Sequence, residues 1–141
     1  MAADGVGLTG LRIATERAHR DRLSGRARAI VAGAVELPFA DATFDVLTHS
    51  DLLCCLTDKR AVLAACRRAI RTDGRMAFTG ISVAPGLAGD DYGRAVSNGP
   101  VFIETDTDYP TLLRETGWVV AAKTDITAPY TRSCHRQLAA D

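Results

Sequence analysis

The chain has 141 residues, with 17 basic and 17 acidic side chains and a formal net charge of zero. That length suits one domain, spanning residues 1–141, with one real core; 47% hydrophobic and 24% charged content excludes a disordered chain, and the balanced charge excludes a global field that would gather nucleic acid or an anionic membrane. No apolar run approaches the roughly 20 residues of a membrane helix, the start Met1-Ala-Ala-Asp-Gly5 lacks the order of a secretory signal, and Cys54, Cys55, Cys66 and Cys134 show neither a Cys-x-x-Cys pair nor a metal-ligand spacing, so a reduced, cytoplasmic protein without a metal is expected.

In chain order, Val6 to Leu11 is apolar but broken by Gly7 and Gly10. It is read as a strand, with a helix from Thr9 onward as the rival, because Leu8, Leu11, Thr15 and Ala18 recur at helical spacing. Ala14 to Leu23 reads as a helix, and the basic stretch from Arg17 to Arg28 reads as its solvated face and a turn. Ala27 to Ala32 is a short apolar strand ending at Gly33. A Pro38-Phe39 corner and a turn at Ala40–Thr43 lead into Phe44–Thr48, whose nearly continuous apolar character suits a central strand covered on both faces.

The next helix is capped by Thr57, with Asp58 complementing its dipole. Val62, Leu63, Cys66, Ala69 and Ile70 form its apolar stripe, and Asp73-Gly74 stops it. Arg75 to Ile81 follows as a buried strand. Residues 82–103 contain Pro85, Pro100 and glycines at 86, 89, 93 and 99, and read as a long binding loop or lid. Asp108 caps a helix through Tyr109, Leu112, Leu113 and Thr116, with Pro110 in the first turn, where proline is tolerated. Gly117 ends it, Trp118 to Ala122 is a further strand, and the polar tail from Thr127 frays or starts a helix. This alternation of strand and helix predicts an α/β fold with a parallel sheet, in which a ladder joins residues 27–32, 44–48 and 75–81.

Three blocks carry a family resemblance: Val31–Phe39 with Phe44–Ser50; Ser50–Asp58 followed by Val62-Leu63 and Cys66–Phe78; and Asp108–Trp118. In order and spacing they resemble class I S-adenosylmethionine-dependent methyltransferases of the small-molecule type, close to the type 11 group and to the branch that methylates small amines. The match runs over roughly residues 6–127. It implies a Rossmann-like, mostly parallel sheet with flanking helices. It also implies that the family's first strand and Gly-rich turn are missing, an N-terminally incomplete domain. The vacancy beside Phe44–Thr48 would then be filled by Val6–Leu11, by a homodimer partner completing the sheet, or by further chain.

The resemblance implies S-adenosylmethionine as cofactor and a small-molecule amine, acid or hydroxyl as acceptor, with no nucleic acid and no membrane partner. It places the cofactor near Gly10, Leu11 and Arg12, where the family's ribose-binding acid is replaced by arginine, which cannot accept a hydrogen bond. It places the adenine at Ala34 and Val35, and the methionine end at Ser50, Asp51 and Leu52. Asp51 and His49 are the candidate catalytic residues; His49 has an ordinary pKa suited to proton transfer, and Asp51 reads equally as a turn residue. Tyr92 and Tyr109 are weighed as closing over a substrate or as surface residues. Glu36 reads as a solvated turn residue, Cys54 and Cys55 as small buried hydrophobes, Trp118 as core, and His19 and His135 as surface. The alternative function is a catalytically inactive methyltransferase-like domain that serves as a binding or dimerisation module; a weaker one is nucleotide binding through Arg12.

Overall fold

The apolar run after the Pro-Phe corner forms β1 (Phe44–Ser50), and it pairs in parallel with β2 (Ile70–Thr79) in the computed structural model, which describes residues 4–139. Residues 1–3 and 140–141, the outermost parts of the expected signal-free start and polar tail, lie outside the described residues. Two parallel strands cannot be joined by a tight turn and need a crossover of a dozen or more residues. Here residues 51–69 supply it, as a 3-10 turn (Leu53–Cys55) and the helix α2 (Lys59–Ala69), numbered after α1 (Asp4–Arg20).

α2 begins where expected but with a different cap. Asp58, not Thr57, holds the non-helical cap position, and its Oδ1 accepts from Ala61 N at 2.8 Å. The apolar stripe lands as the pattern predicts: Val62, Leu63, Cys66 and Ala69 are buried. They meet Leu53 from the turn and Leu112 and Leu113 from α4 (Tyr109–Glu115), with Leu47, Met76, Phe78 and Trp118 packed around them. Leu53 and Leu63 retain no exposed surface. α4 carries the expected cap, with Asp108 Oδ1 accepting from Thr111 N at 2.7 Å and proline in its first turn. Gly117 (φ 82°) ends it in the left-handed region. Trp118 turns back so that its indole N–H donates to Leu63 O at 3.1 Å.

The Asp73-Gly74 turn does not separate α2 from β2. β2 already starts at Ile70, and its register on β1 jumps from Phe44↔Ile70 to Val46↔Arg75, so the turn is absorbed as a bulge inside the strand. Only glycine fits at its apex, because a Cβ on Gly74 would lie 2.6 Å from Ile70 Cγ1 and 2.9 Å from Asp45 O.

Other expectations are overturned. Val6–Leu11 is not a strand: α1 runs through it and through the predicted 14–23 helix to Arg20. The rival spacing wins because a strand needs a ladder partner, whereas a helix satisfies its own backbone. Arg12–Glu16 (3.8 Å) and Arg17–Asp21 (3.5 Å) add i,i+4 support. Residues 27–32 and 118–122 form no ladder among the described residues, and the sheet has two strands instead of the larger set expected. β1 is covered on one face, by α2. Val46 on the other face is 63% exposed. The long loop contains a helix, α3 (Gly89–Ser97), and the tail starts one, α5 (Thr127–Leu138), with Asp125 Oδ1 accepting from Thr127 N at 2.8 Å. No helix among the described residues is long and apolar enough to cross a membrane.

Lys59 is buried, yet it lies on no ion pair among the described residues. Its ammonium donates to the carbonyls of Leu56 (3.0 Å), Phe102 (2.8 Å) and Glu104 (3.3 Å). Three donors meet three acceptors, and the segment after α3 is thereby fastened to the start of α2. Tyr92 of α3 joins the same strut by donating to Glu104 Oε1 at 2.7 Å. Lys59→Met should strand these carbonyls and lower stability by about 1–3 kcal/mol, read as a fall in the urea midpoint with faster amide exchange over residues 102–104. An unchanged midpoint would show that the strut holds nothing.

Candidate functional site

Because β1 and β2 are parallel, their carboxyl ends lie side by side, and Ser50 is paired with Thr79. Ser50 Oγ and Thr79 Oγ1 are 2.8 Å apart, and Thr79 Oγ1 donates to Asp51 Oδ1 at 3.0 Å. Thr79 has one hydroxyl proton, and Asp51 takes it, so Ser50 must be the donor to Thr79. The result is a directed chain, Ser50 to Thr79 to Asp51, ending on a carboxylate.

Asp51 has φ 50°, the left-handed region, at a non-glycine position, a conformation that costs about 1–2 kcal/mol. It is held there on both sides of the peptide. Its N–H donates to Thr79 O at 3.0 Å, and its carbonyl accepts from Cys54 Sγ (3.2 Å) and Cys55 Sγ (3.4 Å). The cysteines therefore do more than fill space: both brace the turn, while Cys54 alone is buried. Partial desolvation, Cys54 and Asp51 hold the Cys55 thiol above its ordinary value, which argues against a reactive thiolate.

His49 is half-buried on the core-facing side of β1, stacked on Phe78 with ring centroids 4.8 Å apart. Neither ring nitrogen has a hydrogen-bond partner among the described residues. Burial pushes its pKa below the ordinary value, so the ring is neutral at pH 7, with a lone pair on one nitrogen. Phe78 meets Tyr109 edge-on at 6.1 Å. The Tyr109 hydroxyl is buried without a partner among the described residues, and its pKa is pushed up to about 12 by burial and by Cys54 and Cys55. Tyr109 is thus no surface residue. In α5, Cys134 first, then Asp51, holds the exposed Tyr130 phenol above its ordinary value.

A cavity of about 340 Å³ beside β1 is lined by Ala34, Leu37 and Phe39, by Val62 and Cys66 of α2, and by His49 and Leu52. The structure therefore brings Ala34, His49 and Leu52 together, next to Ser50 and Asp51. Val35 points away and is 49% exposed. Gly10, Leu11 and Arg12 lie within α1 and follow no strand. Gly10 and Leu11 face residues 28–32 across a second cavity, while the Arg12 side chain is exposed and paired with Glu16. Thr79 and Phe78 belong to the site but escape sequence reasoning, since only the strand register brings them there.

Residues 4–78 match the model of a family described as "Methyltransferase domain". The matched stretch includes β1, the Asp51 turn, α2 and most of β2. The chain is 30% identical to 27-O-demethylrifamycin SV methyltransferase of Amycolatopsis mediterranei (strain S699), over 92% of this chain and 52% of that protein. It is 29% identical to methyltransferase GfsG of Streptomyces halstedii, over 82% of this chain and 43% of that protein. The chain spans about half the length of the curated relatives it matches.

The site carries a pH signature. An unfolded chain takes up a proton at His49 near pH 6.5, and the folded one resists it. Stability from this residue is therefore complete above pH 6.5 and is lost as pH falls below it. Asp108 and Asp125, whose pKa values are lowered chiefly by hydrogen bonds from Thr111 and Thr127, act in the same direction only near and below pH 4. The urea midpoint should fall between pH 7 and pH 5 in the wild type and stay flatter over that window in His49→Phe. Parallel profiles would remove His49 as the cause.

Proposed function

The chain belongs to the methyltransferase-domain family, and from that premise we propose that it serves S-adenosylmethionine-dependent methyl transfer to a hydroxyl of a small molecule, at the carboxyl ends of β1 and β2. The observation that carries this reading is the strained Asp51 turn, fed by the Ser50–Thr79 relay, beside a neutral histidine whose ring nitrogens have no protein partner among the described residues. Strain at a non-glycine residue and unpartnered buried polar atoms both mark positions shaped for something other than stability. An oxygen acceptor is favoured over an amine because His49 is uncharged and the cavity beside it is apolar. The relative from Amycolatopsis is named for an O-demethyl substrate.

The residues fit the cofactor in part. Asp51 Oδ1 is occupied by Thr79, while Oδ2 has no hydrogen bond among the described residues and can receive an ammonium group. Ala34 offers backbone and a small apolar surface to an adenine. Gly10, Leu11 and Arg12 do not fit a ribose site, because they are helical and Arg12 has only donors. When bound, the sulfonium cofactor supplies an electrophilic methyl group. The chain's own contribution is alignment and desolvation, together with a place for the proton. The acceptor's hydroxyl proton goes to the lone pair of His49, and Tyr109, protonated at all working pH values, remains a donor. The free thiols suit a reducing compartment, and we place the protein in the cytoplasm.

The helical Gly10–Arg12, with the Arg12 side chain exposed, favours the second reading, a binding module without catalysis. Titration calorimetry with S-adenosylhomocysteine separates the two. Binding in the micromolar range is expected, weakened about tenfold in Asp51→Asn, the equivalent of one charge-assisted hydrogen bond, and unchanged in His49→Asn. No heat at millimolar ligand would leave the module reading in place.

A further inference from the structure

Residues 80–102 connect the end of β2 to the strut fixed on α2, with α3 between. The excursion starts directly after Thr79 and comes back at Phe102, whose N–H donates to Cys54 O at 3.1 Å. Both of its feet therefore stand against the Asp51 turn. Thr79 O accepts from Asp51 N at 3.0 Å, and Cys54 Sγ donates to Asp51 O at 3.2 Å. The left-handed residue is gripped at its N–H by the residue before one foot, and at its carbonyl by the residue that receives the other.

The two feet differ in firmness. At the return, Lys59 holds Phe102 O and Glu104 O. Ile103, 5% exposed, packs so closely on Gly99 that a Cβ there would lie 2.8 Å from its Cδ1. On the outward side Gly86 and Gly89 both have positive φ (86° and 55°), and nothing outside the adjoining backbone lies within 4 Å of a Cβ placed on either. Backbone conformation, not crowding, asks for glycine there. α3 buries none of its residues. Among the described residues, one side-chain hydrogen bond ties α3 to anything beyond its own cap, from Tyr92 to Glu104 Oε1 at 2.7 Å. α3 is thus an arm, hinged at two glycines and latched by one exposed bond to the strut that carries Phe102.

A left-handed backbone is disfavoured for any residue with a Cβ, so Asp51 keeps φ 50° only while both grips hold. We propose that the arm and the Asp51 turn act as one unit that regulates the site. Tyr92 latched on Glu104 steadies the strut, the strut holds Cys54, and Cys54 holds Asp51 in the conformation that presents its carboxylate. The inference rests on reading the carboxyl ends of β1 and β2 as the ligand site, and adds control of that site by α3. Coupling of this kind is reciprocal. A loosened arm weakens a ligand at Asp51, and a ligand at Asp51 quiets the arm.

Tyr92→Phe removes the latch and keeps the ring. In the full chain its circular dichroism should match the wild type. Without any ligand, amide exchange should quicken over residues 89–97 and, together with them, at Asp51 and Phe102. Glu104→Ala should do the same, whereas Glu104→Gln, which keeps an acceptor for the phenol, should not. By titration calorimetry, S-adenosylhomocysteine should bind Tyr92→Phe about three- to tenfold more weakly than the wild type, the equivalent of one hydrogen bond, and it should slow exchange over residues 89–97 in the wild type. Faster exchange confined to residues 89–97 would overturn the coupling whether or not the ligand binds, and so would equal affinity in the two proteins. Coupled exchange with no heat from the wild type would leave the mechanical unit standing and overturn both the ligand reading and the regulation built on it.

Discussion

Parallel pairing of β1 with β2 is the constraint from which the remainder follows. A parallel pair obliges the chain to leave the end of one strand, cross, and re-enter at the start of the next. The crossover must pack on the sheet it has just left, so α2 covers the face that carries Leu47, Met76 and Phe78. The same geometry sets both carboxyl ends side by side, and ligands of open α/β sheets gather at such ends. One pairing thus generates the core on one side and the candidate site at its rim.

The sharp departure at the end of β1 is where stability is given up locally. The left-handed Asp51 would be unfavourable alone, but a backbone bond to Thr79 and two thiol contacts to its carbonyl hold it. Those supports come from three places: the neighbouring strand end and two adjacent residues of the following turn. The carboxylate and the two hydroxyls are consequently held by this backbone geometry together with their own hydrogen bonds, and the imidazole by its stack on Phe78. Pre-set polar groups of this sort can act on a ligand without reorganising.

Around this well-ordered centre the chain has a surplus of unpaired β-like sequence. Residues 27–32 and 118–122 have the composition of strands and the exposure of loops; Val119 is 92% exposed. Trp118 is nevertheless anchored, through its indole bond to Leu63 and the Arg67 guanidinium 5.6 Å from its ring. The break between satisfied core and unsatisfied periphery falls within a residue of that anchor. It coincides with the limit of what α2 and α4 can cover.

What the amino-acid sequence determined by itself is what depends on neighbours along the chain. The stripe of α2, the caps at Asp58 and Asp108 give or take one residue, the stop at Gly117 and the identity of β1 were all legible, because helix periodicity, capping and turn preference act over three or four residues. Ser50, Asp51 and Leu52 were singled out by the family resemblance alone; the structure sets Ser50 at the end of β1 and Asp51 and Leu52 in the turn that follows. Tertiary structure alone decided whether each remaining apolar run became helix, strand or neither. Val6–Leu11 became helix, the runs at 27–32 and 118–122 stayed without a ladder among the described residues, and Thr79 and Phe78 arrived at the site through strand register. The physical reason is that a helix closes its hydrogen bonds within itself, whereas a strand exists only if a partner is present to receive them.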